Sequence, residues 1–250
     1  LHRRLTKNGL ALKPETQAQI LSELDTVSDG VFAKAPQKLG FRPNALWQYE
    51  QRELKNLLAA LIRWECENHD LYLPFEQELR FGVRGSSYPS YPLQRSTGER
   101  FLFHGVVDRI DRTENDELRV LDYKSGSTRY SKDDMAQGLA LQNPLYAVVV
   151  NNLLEMPVLS AAYLLIPKRE FSGKLAFSDG SPAGDETVQS AIDQVGNFVD
   201  QIRSGYFPNL PAKPSAGNLA CSTYCPFSGM CRVSRHSIAK VRRMEAQNAS

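Results

Sequence analysis

Two stretches of strand texture, FLFHGVVDRIDR and LRVLDYKSG, bracket the five residues TENDE, whose composition is that of a hairpin turn. A hairpin turning symmetrically about Asn115 sets Asp108 directly across from Asp122. Opposed residues share a face, with Cβ atoms roughly 5 Å apart. Lys124, two residues beyond Asp122, projects from that same face. Val106, Ile110, Leu118 and Val120 share it as well, so the two carboxylates are expected at the margin of an apolar surface. Asp111, three residues past Asp108, points from the opposite face and is expected to pair with a nearby arginine.

Two carboxylates so close repel, and one tends to hold a proton unless a cation lies between them. Hard oxygen ligands suit Mg²⁺ or Mn²⁺. Such an ion can polarise a phosphodiester and lower the pKa of an attacking water, while Lys124 stabilises charge developing on the phosphate. The plain alternative is that Asp122 and Lys124 are surface residues of an edge strand.

Around the hairpin, residues from about Lys13 to Val31 carry apolar positions at helical spacing (Ile20, Leu21, Leu24, Val27), and a loop punctuated by Gly30, Pro36, Gly40 and Pro43 follows. Ala45 to Cys66 predicts a strong amphipathic helix. PFEQELRFGV alternates as a strand, and a polar loop rich in Ser, Tyr and Pro runs to Gly98. Beyond the hairpin come a helix over about Lys132 to Leu154, the apolar strand LSAAYLLIP, a short strand near Leu175 to Phe177 and a helix over about Glu186 to Ser204. The expected fold class is α/β, a central mixed β-sheet flanked by helices. A helical part (1–70) precedes the core (71–210), and a Cys-containing segment with a basic tail (211–250) follows, all in a single domain.

With 42% hydrophobic and 23% charged residues the chain reads as a folded protein, and a net charge of +2 neither demands nor forbids nucleic acid. No apolar run approaches the roughly 20 residues that span a bilayer. The chain opens LHRRL, with neither Met nor an apolar leader, and we expect a piece of a larger protein. Of the four cysteines, Cys221, Cys225 and Cys231 crowd near the C-terminus, interleaved with Pro226 and Gly229, a spacing that lets three thiolates wrap one centre. Zinc, an iron–sulfur cluster and a disulfide remain open at this point. Arg232, Arg235, His236, Lys240, Arg242 and Arg243 follow, either as a solvated face or as contacts to a phosphate backbone.

GVVDRID, then VLDYKSG, then LQNPLYA on the next helix together resemble the RecB/AddB-type branch of the PD-(D/E)XK nucleases, over roughly residues 75 to 235. That branch shows a Gly-x-x-Asp strand, an Asp-Tyr-Lys strand and a Gln-x-x-x-Tyr helix in this order. The resemblance implies a restriction-endonuclease-like core. It implies Asp108 and Asp122 as metal ligands, the backbone carbonyl of Tyr123 completing the shell, and Lys124 as the catalytic lysine. It sets Gln142 and Tyr146 in the site and against DNA, where the bland reading makes Tyr146 a core residue and Gln142 its polar neighbour.

It further implies His2 as an additional metal ligand, which otherwise reads as a solvated terminal side chain, and likens Glu78 to a Glu on the strand before the hairpin. CSTYCPFSGMCR resembles the segment that holds a [4Fe–4S] cluster in such nucleases, although the first gap is three residues where two are usual. The fourth ligand would lie upstream of the chain or be Cys66, itself readable as a buried small hydrophobe, and zinc is the competing metal. The expected activity is metal-dependent hydrolysis of DNA in repair and recombination. We expect an exonuclease acting on single strands or ends, in the bacterial cytoplasm with the nucleoid, alongside a helicase subunit or domain and without a membrane. The competing readings are a nuclease-like scaffold that no longer cuts, and a metal-stabilised binding protein without nucleic acid.

Overall fold

Thr113 closes the turn on which the site depends. Its N–H donates to Glu117 O (3.0 Å), its carbonyl accepts from Asp116 N (3.2 Å), and its Oγ1 accepts from the N–H groups of Asn115 (3.3 Å) and Glu117 (3.2 Å). Asp116 takes the left-handed conformation the turn needs, φ 62°, which a short polar side chain tolerates. The flanking strands pair Arg109 with Leu121, Ile110 with Val120, Asp111 with Arg119 and Arg112 with Leu118, the register expected for a turn centred on Asn115.

The computed structural model describes residues 1–207 and, beyond them, Ala239 and Arg243. The chain divides into two compact units, Leu1–Gln194 and Val195–Ser250. In the first, helices α1 (His2–Lys7), α2 (Gln17–Leu39) and α3 (Ala45–Glu67) lead into strands β1 (Leu73–Phe81), β2 (Tyr91–Gln94), β3 (Arg100–Phe103), β4 (Gly105–Arg112) and β5 (Leu118–Lys124). Helices α4 (Lys132–Ala136) and α5 (Gln142–Leu154), strands β6 (Val158–Leu165) and β7 (Glu170–Ala176) and helix α6 (Glu186–Arg203), which runs across the division, follow. The main sheet has the order β1-β4-β5-β6-β7, and β2 and β3 form a separate hairpin. Within the main sheet β5 and β6 run parallel, joined through α5, and the other neighbours are antiparallel. The mixed α/β sheet expected from the sequence is therefore present.

Helix α5 packs on β5 and β6, and every residue from Asn143 to Val150 is buried, as a crossover helix lying on a sheet requires. On the other face, Leu5, Leu12, Ile20, Leu24, Ile62 and Cys66 form the core that ties α1, α2 and α3 together.

Four expectations need correction. FLFHGVVDRIDR is two strands, because Phe103 belongs to the β2–β3 hairpin and the chain turns at His104 before β4. The polar loop before Gly98 contains β2, whose inward residue is Leu93. The helix over Lys132 to Leu154 is broken at Gly138 (φ 80°) into α4 and α5. Gly30 and Pro36 lie inside α2, which ends at Gly40 in the left-handed conformation that caps helices.

Gly82, where β1 leaves the sheet, has φ 65°, and a Cβ there would stand 2.5 Å from Ser90 Oγ, 2.7 Å from His104 Cβ and 2.8 Å from Ser90 Cα. Gly82→Ala is expected to destabilise the protein by about 3 kcal/mol, seen as a lower urea midpoint at unchanged slope. An unaltered midpoint would show that the neighbouring backbone yields freely.

Candidate active site

The even-numbered face of the hairpin carries the predicted centre. Ile110, Leu118 and Val120 are fully buried on it, and Asp122, 1% exposed, continues the row at its margin. Regular β4–β5 pairing ends at Arg109 and Leu121, whereas β5 stays paired to β6 as far as Lys124 with Leu165. Where the next β4–β5 hydrogen bonds would fall, the Tyr123 N–H donates instead to Asp108 Oδ2, at 2.9 Å. The strands thus part where the two aspartates face each other. Ile166 N donates to Lys124 O (3.0 Å), so the Lys124 carbonyl points toward β6. Carbonyl directions alternate along a strand, so that of Tyr123 points toward the gap beside β4.

Lys124 Nζ stands 2.6 Å from Asp122 Oδ2, bonds to Gln142 Oε1 from the first turn of α5, and lies 5.0 Å from the centre of the Tyr163 ring. Asp122 Oδ2 is in ion-pair range of that ammonium but has no aligned hydrogen bond among the described residues. Burial pushes the Asp122 carboxyl above its usual range, Lys124 draws it back and Asp108 adds to the rise. A buried carboxylate, a second carboxylate across the gap and a carbonyl aimed into it form a hard-oxygen donor set that fits Mg²⁺ or Mn²⁺. Among the described residues no three His, Cys, Asp or Glu gather as a metal cluster.

Tyr146, one turn beyond Gln142, is 8% exposed and packs between Phe81 and Phe103. Gly105 lies against it, and a Cβ at 105 would stand 3.2 Å from both Tyr146 Oη and Cε1. This explains the glycine of the Gly-x-x-Asp strand. Glu78 is exposed, sits at φ 55° and lies between the pairs Gln77–Arg109 and Leu79–Val107, in register with Asp108.

The resemblance would bring His2 to the aspartates, and the structure does not. His2 faces the odd-numbered side of the hairpin, with Nε2 3.0 Å from Tyr123 Oη and 3.3 Å from Arg109 Nη1, because buried polar partners are offered there. Asp111 is on that side too, paired with Arg109 Nε (2.5 Å) and Arg119 Nη2 (2.9 Å), as the strand alternation predicts. Cys66 is fully buried in the apolar core, its thiol pushed up to about 11 by burial, the environment of a small hydrophobe. Cys221, Cys225 and Cys231 lie outside the described residues, as does the basic tail apart from Arg243, which is exposed.

Comparison with known proteins agrees with the geometry. The family model described as the PD-(D/E)XK nuclease superfamily matches residues 2–232. The chain belongs to this superfamily. Curated relatives of the superfamily chain include a subunit of the ATP-dependent helicase/deoxyribonuclease of Clostridium novyi, 33% identical over 140 residues (52% of this chain, 12% of the relative). The proteins of the same description from Carboxydothermus hydrogenoformans and Moorella thermoacetica are 30% identical over 146 residues (55% of this chain) and 31% over 168 residues (66%). The chain spans 13% of the length of each of these two.

Sequence reasoning missed Tyr163, which stands in register with Asp122 on β6 and lies beneath Lys124, and the odd-face group of Arg109, Glu65 and Tyr123. The signals were a tyrosine inside LSAAYLLIP and a charged residue, Glu65, beside the apolar stripe of α3.

Gly105→Ala is expected to crowd the Tyr146 ring and Phe81 Cζ and lower stability by about 2 kcal/mol, and Tyr146→Phe in the same background should restore part of it by removing one of the three crowding atoms. Thermal melts of the two variants check this, and no loss in the first refutes the contact. Burial, and then Arg109, hold His2 well below its ordinary 6.5. The unfolded chain therefore takes up a proton that the folded chain refuses, so this contribution to stability is full above about pH 6.5 and is lost on acidification. Melting temperatures should fall less steeply from about pH 8 to pH 5 in His2→Gln than in the wild type. Parallel slopes would rule out a neutral buried His2.

Proposed function

We propose that the chain is the nuclease part of a metal-dependent deoxyribonuclease that hydrolyses phosphodiester bonds of DNA in repair or recombination, acting as an exonuclease on single strands or ends. The observation that carries this reading is the parting of β4 and β5 at Asp108 and Asp122, with Lys124 at the same opening. Asp108, Asp122 and the Tyr123 carbonyl would hold Mg²⁺ or Mn²⁺, which when bound supplies Lewis-acid activation of the phosphate and of the attacking water. In the hydrolysis a water oxygen bonds to phosphorus as the bond to one bridging oxygen breaks, and the leaving oxygen ends protonated. Lys124, held by Gln142 and Asp122, directs its charge at the non-bridging oxygens as they gain negative charge. Gln142 at the start of α5 would face the DNA backbone, with Tyr146 packed behind it one turn on.

The relatives are described as subunits of a helicase/deoxyribonuclease and come from bacteria, which supports a helicase subunit or domain as partner and a cytoplasmic, nucleoid-associated setting. No described helix is long and apolar enough to cross a membrane. For Cys221, Cys225 and Cys231 the resemblance supports a [4Fe–4S] cluster, with zinc as the alternative and the fourth ligand upstream of this chain; Cys66, embedded in the core, suits that role poorly. The second reading, a nuclease-like scaffold, is disfavoured because both aspartates and Lys124 are present and assembled.

Labelled single-stranded and duplex DNA incubated with Mg²⁺, Mn²⁺ or EDTA should be degraded only with metal. Asp122→Ala should abolish cleavage, and Lys124→Ala should slow it by about 10²–10³-fold. Cleavage that survives in EDTA, or in both variants, would defeat the mechanism, and a wild type that binds DNA without cutting it would favour the scaffold.

A further inference from the structure

Beyond Arg109 and Leu121 the β4–β5 ladder no longer fixes the distance between the two strands, although the metal site requires that distance to be held. On the odd-numbered face a side-chain bridge spans the same gap. Arg109 Nη1 of β4 donates to Tyr123 Oη of β5 at 3.0 Å, and His2 Nε2 lies 3.0 Å from the same hydroxyl. Arg109 is 2% exposed and is itself clamped, Nη1 to Glu65 of α3 and Nε to Asp111 at 2.5 Å. The second oxygen of Asp111 accepts from Arg119, which also pairs with Asp70.

Burying so many charges is a poor way to gain stability, because well-packed apolar residues of similar volume usually serve as well or better. What a clamped guanidinium offers is a fixed point, since its fork of donors allows little freedom once carboxylates occupy it. Tyr123 is where the two faces meet. Its hydroxyl is gripped on one face of the sheet, while its N–H holds the carboxylate of Asp108 and its carbonyl points toward the gap between β4 and β5.

We infer that Arg109, anchored by Glu65 and Asp111, is a positioning residue for the metal site: through the Tyr123 hydroxyl it sets the Tyr123 peptide, and through that peptide the orientation of the Asp108 carboxylate and the Tyr123 carbonyl. The inference rests on the metal-binding reading above. Outer partners of this kind tune metal affinity without touching the ion.

Tyr123→Phe tests it, because it removes only the gripped oxygen and leaves the ring, the peptide and the arginine clamp. The readout is Mn²⁺ bound to the 250-residue protein in the absence of DNA, followed by the loss of the free Mn²⁺ resonance signal. Asp122→Ala serves as the reference for loss of the site, and Val188→Ala, a buried residue of α6 outside the network, as a control for lowered stability alone. We expect the wild type to bind, Asp122→Ala to fail, Tyr123→Phe to bind about tenfold more weakly, and Val188→Ala to bind as the wild type does despite a lower melting temperature. Wild-type affinity in Tyr123→Phe overturns the positioning role and leaves the metal reading intact. Equal weakening in Val188→Ala assigns the effect to stability and overturns it too. Equal binding by the wild type and Asp122→Ala removes the metal reading and the positioning role with it.

Discussion

Strand side chains alternate between faces, so the register of one antiparallel hairpin decides what every residue of β4 and β5 can do. A slip of one residue between the strands would leave Asp108 facing a different neighbour, and exchanging the faces of β5 would send Asp122 and Lys124 toward the arginine cluster. The Thr113 turn prevents this by satisfying four backbone N–H groups locally, and the apolar row Ile110, Leu118, Val120 makes any alternative costly, because it would carry those side chains out of the core under α5. Sheet order, crossover and site follow from this register. The parallel partner β6 brings Tyr163 level with Asp122, and the helix that returns to it brings Gln142 to Lys124.

The two faces of the hairpin treat charge in opposite ways. On the odd-numbered face each buried charge meets its opposite, Arg109 with Glu65 and Asp111, and Arg119 with Asp111 and Asp70. On the even-numbered face two carboxylates, Asp108 and Asp122, share a single lysine, whose Nζ stands 2.6 Å from Asp122 Oδ2. The imbalance matters because a low-dielectric margin magnifies whatever charge is left over. A divalent cation is the simplest complement to an excess of that sign, and a phosphate brought beside it meets a lysine already oriented. The neutralised face gives the open one a rigid support.

Much of the site was legible because its residues are close in sequence or separated by regular periods. Asp108, Asp122 and Lys124 follow from a turn and a period of two, whereas Gln142 and Tyr146 came from likeness to a family, and one helical turn adds only that they share a face. The same period puts Asp111 on the other face, where it pairs with Arg109 and Arg119. What escaped depends on tertiary packing. Tyr163 is level with Asp122 only once β5 and β6 are paired in parallel, and no local pattern announces that register. His2 was placed by likeness to a family, whereas its position follows from which buried partners α1 meets when it docks against β1. The β2–β3 hairpin was hidden by Pro and Ser, which suggest a loop even though an inward Leu93 and aromatic neighbours suffice to hold two short strands. Helix α2 was read as too short because Gly30 and Pro36 are weak local formers, and packing against α3 overrides them.

The contact between Gly105 and the Tyr146 ring has a consequence for how such sequences can diverge. A bulky aromatic at 146 and a bare α-carbon at 105 occupy one shared volume, so neither position is free to vary alone. A lineage that shortens the side chain on α5 eases the crowding at 105, and one that keeps the tyrosine admits a methyl group there only if the Tyr146 and Phe81 rings give way. The two motifs that bear these residues, some forty positions apart in the chain, are then one inherited unit, and their joint drift in an alignment of relatives would record the packing as plainly as coordinates do.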